Sequence, residues 1–194
     1  MKTLWDNLFR KNSAQTRVTS LLRETILFKD LDNFDLEMIE RIMNPRQFHA
    51  GEVIFRQGDG GVGMYLIVTG SVNIFLDEVL ETQELRQSLI TKLFTGDFFG
   101  ESALVIEGGK RSATVIARED CELLGFFYPD LLQIIKKHPK VGNRILFRLG
   151  EVLGTRLRET NRKIISLISE NVSLKAELGR LENDESQHNQ TYTP

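Results

Sequence analysis

The chain is 194 residues long, with a formal net charge of −2 and 41% hydrophobic residues. That suffices for one ordinary core with an appendage and excludes a disordered tail, while the near-neutral balance gives no global pull toward nucleic acid or an anionic membrane. A lone Cys121 excludes an internal disulfide, and the lack of a bilayer-length apolar run or a signal-like start makes the reducing cytoplasm the expected compartment.

Residues 1–20 mix Trp5, Leu8 and Phe9 with Lys2, Arg10, Lys11 and Arg17. This weakly amphipathic segment is expected to pack its aromatics on the following domain, with an anchor for a partner or a membrane surface as the other reading. From Val18 to Met43, Leu21, Leu22, Ile26, Leu27, Leu31, Phe34, Leu36, Ile39 and Ile42 recur near helical spacing, with a turn at Asp30 to Asp35. Beyond Pro45 the period changes to two. Phe48, Val53, Phe55, Tyr65, Ile67, Val72, Ile74 and Leu76 alternate with polar or small residues between glycine turns, which predicts an antiparallel roll or jelly-roll barrel. Asp77 to Gln87 reads as a charged hairpin tip, followed by a strand from Ser88 to Phe94.

The stretch from Gly96 to Thr114 carries the chemistry. Gly96 and Gly100 mark a turn leaving a strand, and Glu101-Ser102-Ala103-Leu104 has the composition of a short helical turn whose free N–H groups make an anion site. Gly100 lacks the Cβ that would block close approach of an anion. Arg111, at the start of a strand, would close the cradle by forking onto phosphate oxygens. Glu101 would repel a bare phosphate but would accept a hydrogen bond from a hydroxyl beside it, so a ribose phosphate suits both residues.

A strand pair is expected through Ile116 and from Glu122 to Phe127, with Cys121 near its turn as a small buried hydrophobe. His49, His138 and His188 show no metal-ligand spacing, and no nucleophile has a base and an orienter, so neither a metal nor an enzyme is expected. A short helix from Asp130 to Lys137 ends around Pro139.

Residues 141 to about 182 read as one long helix with heptads: Leu146, Leu153, Thr160, Leu167, Leu174 and Leu181 at d, and Gly150, Leu157, Ile164, Asn171 and Leu178 at a. This predicts a parallel homodimer through Leu153, Leu157, Ile164, Leu167, Asn171, Leu174 and Leu178, with Asn171 fixing register. Arg144, Arg148, Arg156, Arg158, Arg162 and Lys163 are read as a solvated face rather than a nucleic-acid stripe.

Phe99-Gly100-Glu101-x-Ala103-Leu104, then Arg111-Ser112-Ala113-Thr114-Val115, resembles the phosphate-binding cassette of the cyclic nucleotide-binding domain, the family of the catabolite activator protein and of the regulatory subunits of cyclic-AMP-dependent kinase. Gly51-Glu52-Val53-Ile54-Phe55-Arg56-Gln57-Gly58-Asp59, Met64-Tyr65-Leu66-Ile67 and Gly70-Ser71-Val72 resemble the first half of the same β-roll, so the likeness covers roughly residues 20 to 163. It implies an α+β fold: a jelly-roll-like double-stranded β-helix flanked by N-terminal helices and a long C-terminal helix.

The likeness also implies a cyclic nucleotide held by Glu101 on the ribose 2′-hydroxyl and by Arg111 with the Ser102 and Ala103 amides on the phosphate. Phe99, Gly100, Ser112 and Ala113 complete that set. Ile74 and Leu93 are candidates for the purine side, and Thr160 and Asn161 for polar contacts to the base. The expected organisation is a segment at 1–20, the binding roll with flanking helices at 21–138, the dimerisation helix at 139–182 and a polar tail at 183–194. A helix-turn-helix domain does not follow, so no direct DNA binding is expected. The expected protein is a dimeric sensor of cyclic AMP, ahead of cyclic GMP, acting on another protein; the alternative is a scaffolding dimer whose roll binds no nucleotide.

Overall fold

A computed structural model describes residues 18–79, 85–106 and 108–190. The expectations for Trp5 and Phe9 lie outside these residues. The chain divides into two compact units, residues 1–150 and 151–194. Among the described residues no helix is long and apolar enough to cross a membrane.

The first unit opens with a helix through 18–24 (α1) and a tight turn, then α2, Asn33–Ile42. Asp32 caps α2 by accepting from the Asp35 N–H at 2.9 Å, while Leu36 and Ile39 turn inward. The backbone is already extended at Met43, before Pro45, and Pro45 is tolerated because its strand lies at a sheet edge.

Eight strands follow: β1 Asn44–Phe48, β2 Val53–Phe55, β3 Gly63–Thr69, β4 Ser71–Val79, β5 Leu85–Phe94, β6 Phe98–Phe99, β7 Thr114–Ala117 and β8 Cys121–Phe127. They form two antiparallel sheets, ordered β1-β8-β3-β6 and β2-β7-β4-β5. Ile67, Phe99, Cys121 and Leu123 from the first sheet meet Val72, Val115 and Ala117 from the second, so the core of the β-roll lies between them. The first sheet is covered on its outer face as well. Phe126 is fully buried there and meets Phe28 edge-on at 5.9 Å between ring centroids. Two-sided burial explains why β3 is almost continuously apolar, with Met64 and Leu66 as buried as Ile67.

Two local expectations change. The strands expected as a pair on either side of Cys121 lie in different sheets, because Arg118 to Asp120 carry the chain across the roll from β7 to β8. The hairpin expected to turn over Asp77 to Gln87 is instead laddered as far as Val79 opposite Leu85. Its strands extend because Gln57 grips the Asp77 backbone in both directions, accepting from its N–H at 2.9 Å and donating to its carbonyl at 3.1 Å, while Gln87 reaches the Asp77 carboxylate at 2.9 Å.

Helix α3, Tyr128–Lys137, lies against β8, and α4, Pro139–Gln190, follows with proline at its first turn. Within the first unit, Val141, Ile145 and Leu149 of α4 are buried, whereas Leu146 is half-covered and Gly150 exposed. Arg148 pairs with the Asp30 carboxylate, holding it below the usual range, and Arg144 reaches the Asp30 carbonyl at 3.3 Å and the Asp35 carboxylate at 3.8 Å.

In the second unit α4 carries exposed apolar side chains, among them Leu157, Ile164, Leu167, Leu174 and Leu178. The helix continues past the expected end near residue 182, through the segment read as a polar tail, because Asn183 to Gln190 contain neither proline nor glycine to stop it.

Phe126→Ala should cost about 3–5 kcal/mol of unfolding free energy in a urea titration, since it removes a ring from a closed interior. Burial pushes the Cys121 thiol above its ordinary pKa. Its reaction with a disulfide reagent near neutral pH should therefore be slow in the native protein and rapid once urea unfolds the chain.

Candidate functional site

The cassette is assembled by two tight paths of backbone. On one, Gly96 donates its N–H to the Ile67 carbonyl at 2.9 Å and the Ile67 N–H reaches Asp97 at 2.9 Å, which sets Phe98–Phe99 beside β3. The chain then turns through Gly100, at φ +79°, into a 3-10 turn over Glu101–Leu104. On the other, residues 109–111 are strapped to the 58–61 loop: Gly61 donates to Gly109 at 2.8 Å, Arg111 to Asp59 at 2.8 Å and Gly58 to Arg111 at 2.9 Å. Thr114 ties the same loop to the hairpin, its hydroxyl accepting from the Gln57 N–H at 2.9 Å and donating to the Asp77 carboxylate.

Between these paths lies Arg111, 8% exposed, with Glu101 at 6%. The guanidinium stacks over the Phe55 ring, 4.0 Å from its centroid, and Nη1 donates to the Gly100 carbonyl at 3.2 Å. Nε is buried and has no hydrogen-bond partner. Burial lowers the Arg111 pKa, and neighbouring Tyr65, Asp59 and Glu101 oppose that shift, so the cation sits in a partly dry setting with two carboxylates nearby. A guanidinium does not shed its charge in a protein. A buried cation with a donor unspent is chemically suited to an anion.

Two glycines make this approach possible. A Cβ on Gly100 would collide with Arg111 Nη1, so that residue makes room for the guanidinium itself, a role beyond the anion clearance read from the sequence. A Cβ on Gly61 would stand 2.9 Å from the Ala103 Cβ and 3.3 Å from Arg111 Nε. The Ala103 N–H donates to the Gly100 carbonyl at 3.2 Å, so one carbonyl accepts from both the turn and the arginine.

Phe99 belongs to the inter-sheet core, and Ile74 and Leu93 pack against the same cluster, half-buried. Ser102 and Ala113 are half-buried and Ser112 is exposed. Thr160 and Asn161 are exposed on α4 in the second unit, where the Thr160 hydroxyl donates to the Arg156 carbonyl at 2.9 Å.

Sequence reasoning missed the aromatic floor. Tyr65 stacks on Phe55 at 6.4 Å and tilts against Phe99 at 5.7 Å, and Phe55 and Phe99 lie 5.7 Å apart. The alternation of β2 and β3 turned Phe55 and Tyr65 inward but gave no sign that Phe55 supports the arginine. A second hollow, about 270 Å³ and lined by Gln47, Phe48, His49, Thr69, Asp120, Cys121 and Glu122, offers two carboxylates and no lysine or arginine, which does not suit an anion. Among the described residues no group of three His, Cys, Asp or Glu could hold a metal ion.

A family model described as the cyclic nucleotide-binding domain matches residues 45–138. The cyclic AMP receptor protein of Thermus thermophilus is 36% identical over 135 residues, which cover 70% of this chain and 58% of that protein. The solved structure of the c-di-GMP responsive global regulator CLP of Xanthomonas campestris is similar with a TM-score of 0.57 and 29% identity, over 68% of this chain and 62% of that one. The cAMP-bound structure of PfPKA-R gives a TM-score of 0.54 and 29% identity, over 63% of this chain and 42% of that one. The chain thus spans less than two thirds of the length of each of these proteins.

Gly100→Ala should cost about 1–2 kcal/mol from its left-handed backbone alone, and more through the displaced guanidinium. Urea denaturation measures that cost, and the same substitution at Gly51, where a Cβ meets nothing within 4 Å despite φ +82°, separates the backbone cost from the collision.

Proposed function

Because residues 45–138 of this chain belong to the cyclic nucleotide-binding domain family, we propose that the chain is a cyclic nucleotide receptor, with cyclic AMP preferred over cyclic GMP. The observation that carries this reading is Arg111: a buried guanidinium with an unpartnered Nε, supported by Phe55 and set beside the buried Glu101. The relatives named for cyclic AMP and solved with it support the choice of ligand.

In this reading Arg111 takes the cyclic phosphate together with the Ser102 and Ala103 amides, and Glu101 accepts from the ribose 2′-hydroxyl. Phe99, Gly100, Ser112 and Ala113 frame the ring, Ile74 and Leu93 face the purine, and Thr160 and Asn161 offer polar contacts to the base. The Nη1 and Ala103 hydrogen bonds to the Gly100 carbonyl are long and neutral at the acceptor, so exchanging them for phosphate oxygens is favourable. That exchange releases the Gly100 peptide at the start of the 3-10 turn. The turn touches α3, which is joined to α4 through His138, so rearrangement of the cassette has a packed route to the first turns of α4. Ligand and effector affinities would then change each other reciprocally.

The receptor acts as a homodimer through the a and d positions of α4, and its output is contact with another protein. The role is binding and release rather than catalysis, in the cytoplasm. A scaffolding dimer without ligand is the competing reading. The c-di-GMP response named for the Xanthomonas regulator adds a further candidate ligand.

Calorimetry with cyclic AMP, cyclic GMP and c-di-GMP decides among these. Cyclic AMP should bind most tightly, and Arg111→Ala should weaken it by about 2–5 kcal/mol by leaving a desolvated phosphate unpaired. Equal binding by that variant, or no binding of any nucleotide by the natural chain, would sink the receptor reading. For the seam, light scattering should report a dimer, which Leu167→Glu with Leu174→Glu should convert to monomer by burying like charges.

A further inference from the structure

The heptad seam does not account for all the exposed apolar surface of the second unit. Ile165, Ile168 and Val172 are 68%, 59% and 62% exposed, and their spacing of three and then four places them on one helix face. In the register set by Ile164 at a and Leu167 at d, they fall at b, e and b. A two-stranded coil buries a and d, whereas e flanks that seam and b points outward. The dimer therefore leaves this stripe uncovered on each helix.

From Arg158 to Lys175 the charges at b, e and f, on the side of the stripe, are all positive. Arg158 at b and Arg162 at f precede it and Lys175 at e follows it, all exposed. The c and g positions on the other flank are mixed, with Glu159, Glu170 and Glu177 beside Arg156, Lys163 and Arg180, all exposed. A second copy laid antiparallel on the stripe would set Arg158 and Arg162 against Lys175, and a parallel copy would set each cation against its own counterpart. Both arrangements repel. The two-fold axis of a parallel dimer turns the two stripes in opposite directions, so a flat membrane could receive only one of them.

We propose that the face formed by Arg158, Arg162, Ile165, Ile168, Val172 and Lys175 docks an acidic amphipathic helix of a partner protein, one per chain. This rests on the dimeric reading above and names the chemistry of its effector. An apolar row on the partner covers the three branched side chains, and carboxylates flanking that row meet the cations at both ends.

The test uses the full chain and a fluorescent synthetic helix with leucines at i, i+3 and i+7 flanked by glutamates, beside a twin flanked by lysines. Anisotropy should show the acidic peptide binding at one per chain, at least about tenfold more tightly than the twin, the change expected from like-charge opposition of at least about 1.4 kcal/mol. Replacing Arg158, Arg162 and Lys175 by glutamate should invert that preference. Replacing Ile165, Ile168 and Val172 by serine should abolish peptide binding while light scattering still reports a dimer and calorimetry still reports unchanged nucleotide affinity. The proposal is overturned if both peptides bind equally, if neither binds, if phosphatidylserine vesicles or duplex DNA compete the acidic peptide away, or if the serine variant becomes monomeric and so places the stripe in the seam. A monomeric natural chain counts against the dimer reading, whereas the peptide titration judges the docking face, so the two failures are distinguishable.

Discussion

The stacking of Arg111 on Phe55 is the constraint around which the β-roll is arranged. A guanidinium loses hydration when it is buried, and a cation-π contact with one long hydrogen bond returns only part of that loss. The surrounding chain keeps it in place nonetheless. Residues 58–61 hold its backbone on both sides, Gly100 gives way to its Nη1, and Gly61 leaves room for Nε and Ala103 together. Such a position makes sense when the missing compensation comes from a ligand that carries the opposite charge.

The rest of the roll serves to fix that position. Gln57 clamps the Asp77 backbone, Thr114 joins the Gln57 amide to the Asp77 carboxylate, and Thr114 lies three residues beyond Arg111. The β4–β5 hairpin, the 58–61 loop and the arginine are therefore one hydrogen-bonded assembly, although 57 and 114 are far apart in sequence. Beneath it, Phe55, Tyr65 and Phe99 draw from both sheets and from the strand that leads directly into Gly100. The floor is packed from both sides, whereas the 3-10 turn beside it touches α3.

How much of this was legible follows from the range of each interaction. Gly100, Glu101 and Arg111 stood out because the cassette is short and its glycine spacing is local, and the period-two pattern from Phe48 onward marked the strands. The assignment of β7 and β8 to opposite sheets was hidden, because three polar residues between two apolar runs fit a hairpin as well as a crossing. The reach of the β4–β5 ladder was hidden too, since a charged sequence at Asp77 suggests a tip until Gln57 arrives from twenty residues away. Phe55 had the right periodicity for a core residue and no feature to distinguish a ring that packs on apolar neighbours from one that also carries a cation.

Helix α4 shows how one periodic sequence can serve two kinds of burial. In its first turns Val141, Ile145 and Leu149, four residues apart, face inward, and Arg144 and Arg148 pin the same turns to Asp30 and to Asp35 in the first turn of α2. The heptad positions Leu146 and Gly150 are offset from that buried row, so packing within the first unit does not bury them fully. From Leu157 onward the inward row ends and the leucines at heptad positions are exposed. A helix with only the first pattern would be a surface element of its own domain, and one with only the second would be an independent stalk. Helix α4 carries both patterns in a single run without proline after Pro139.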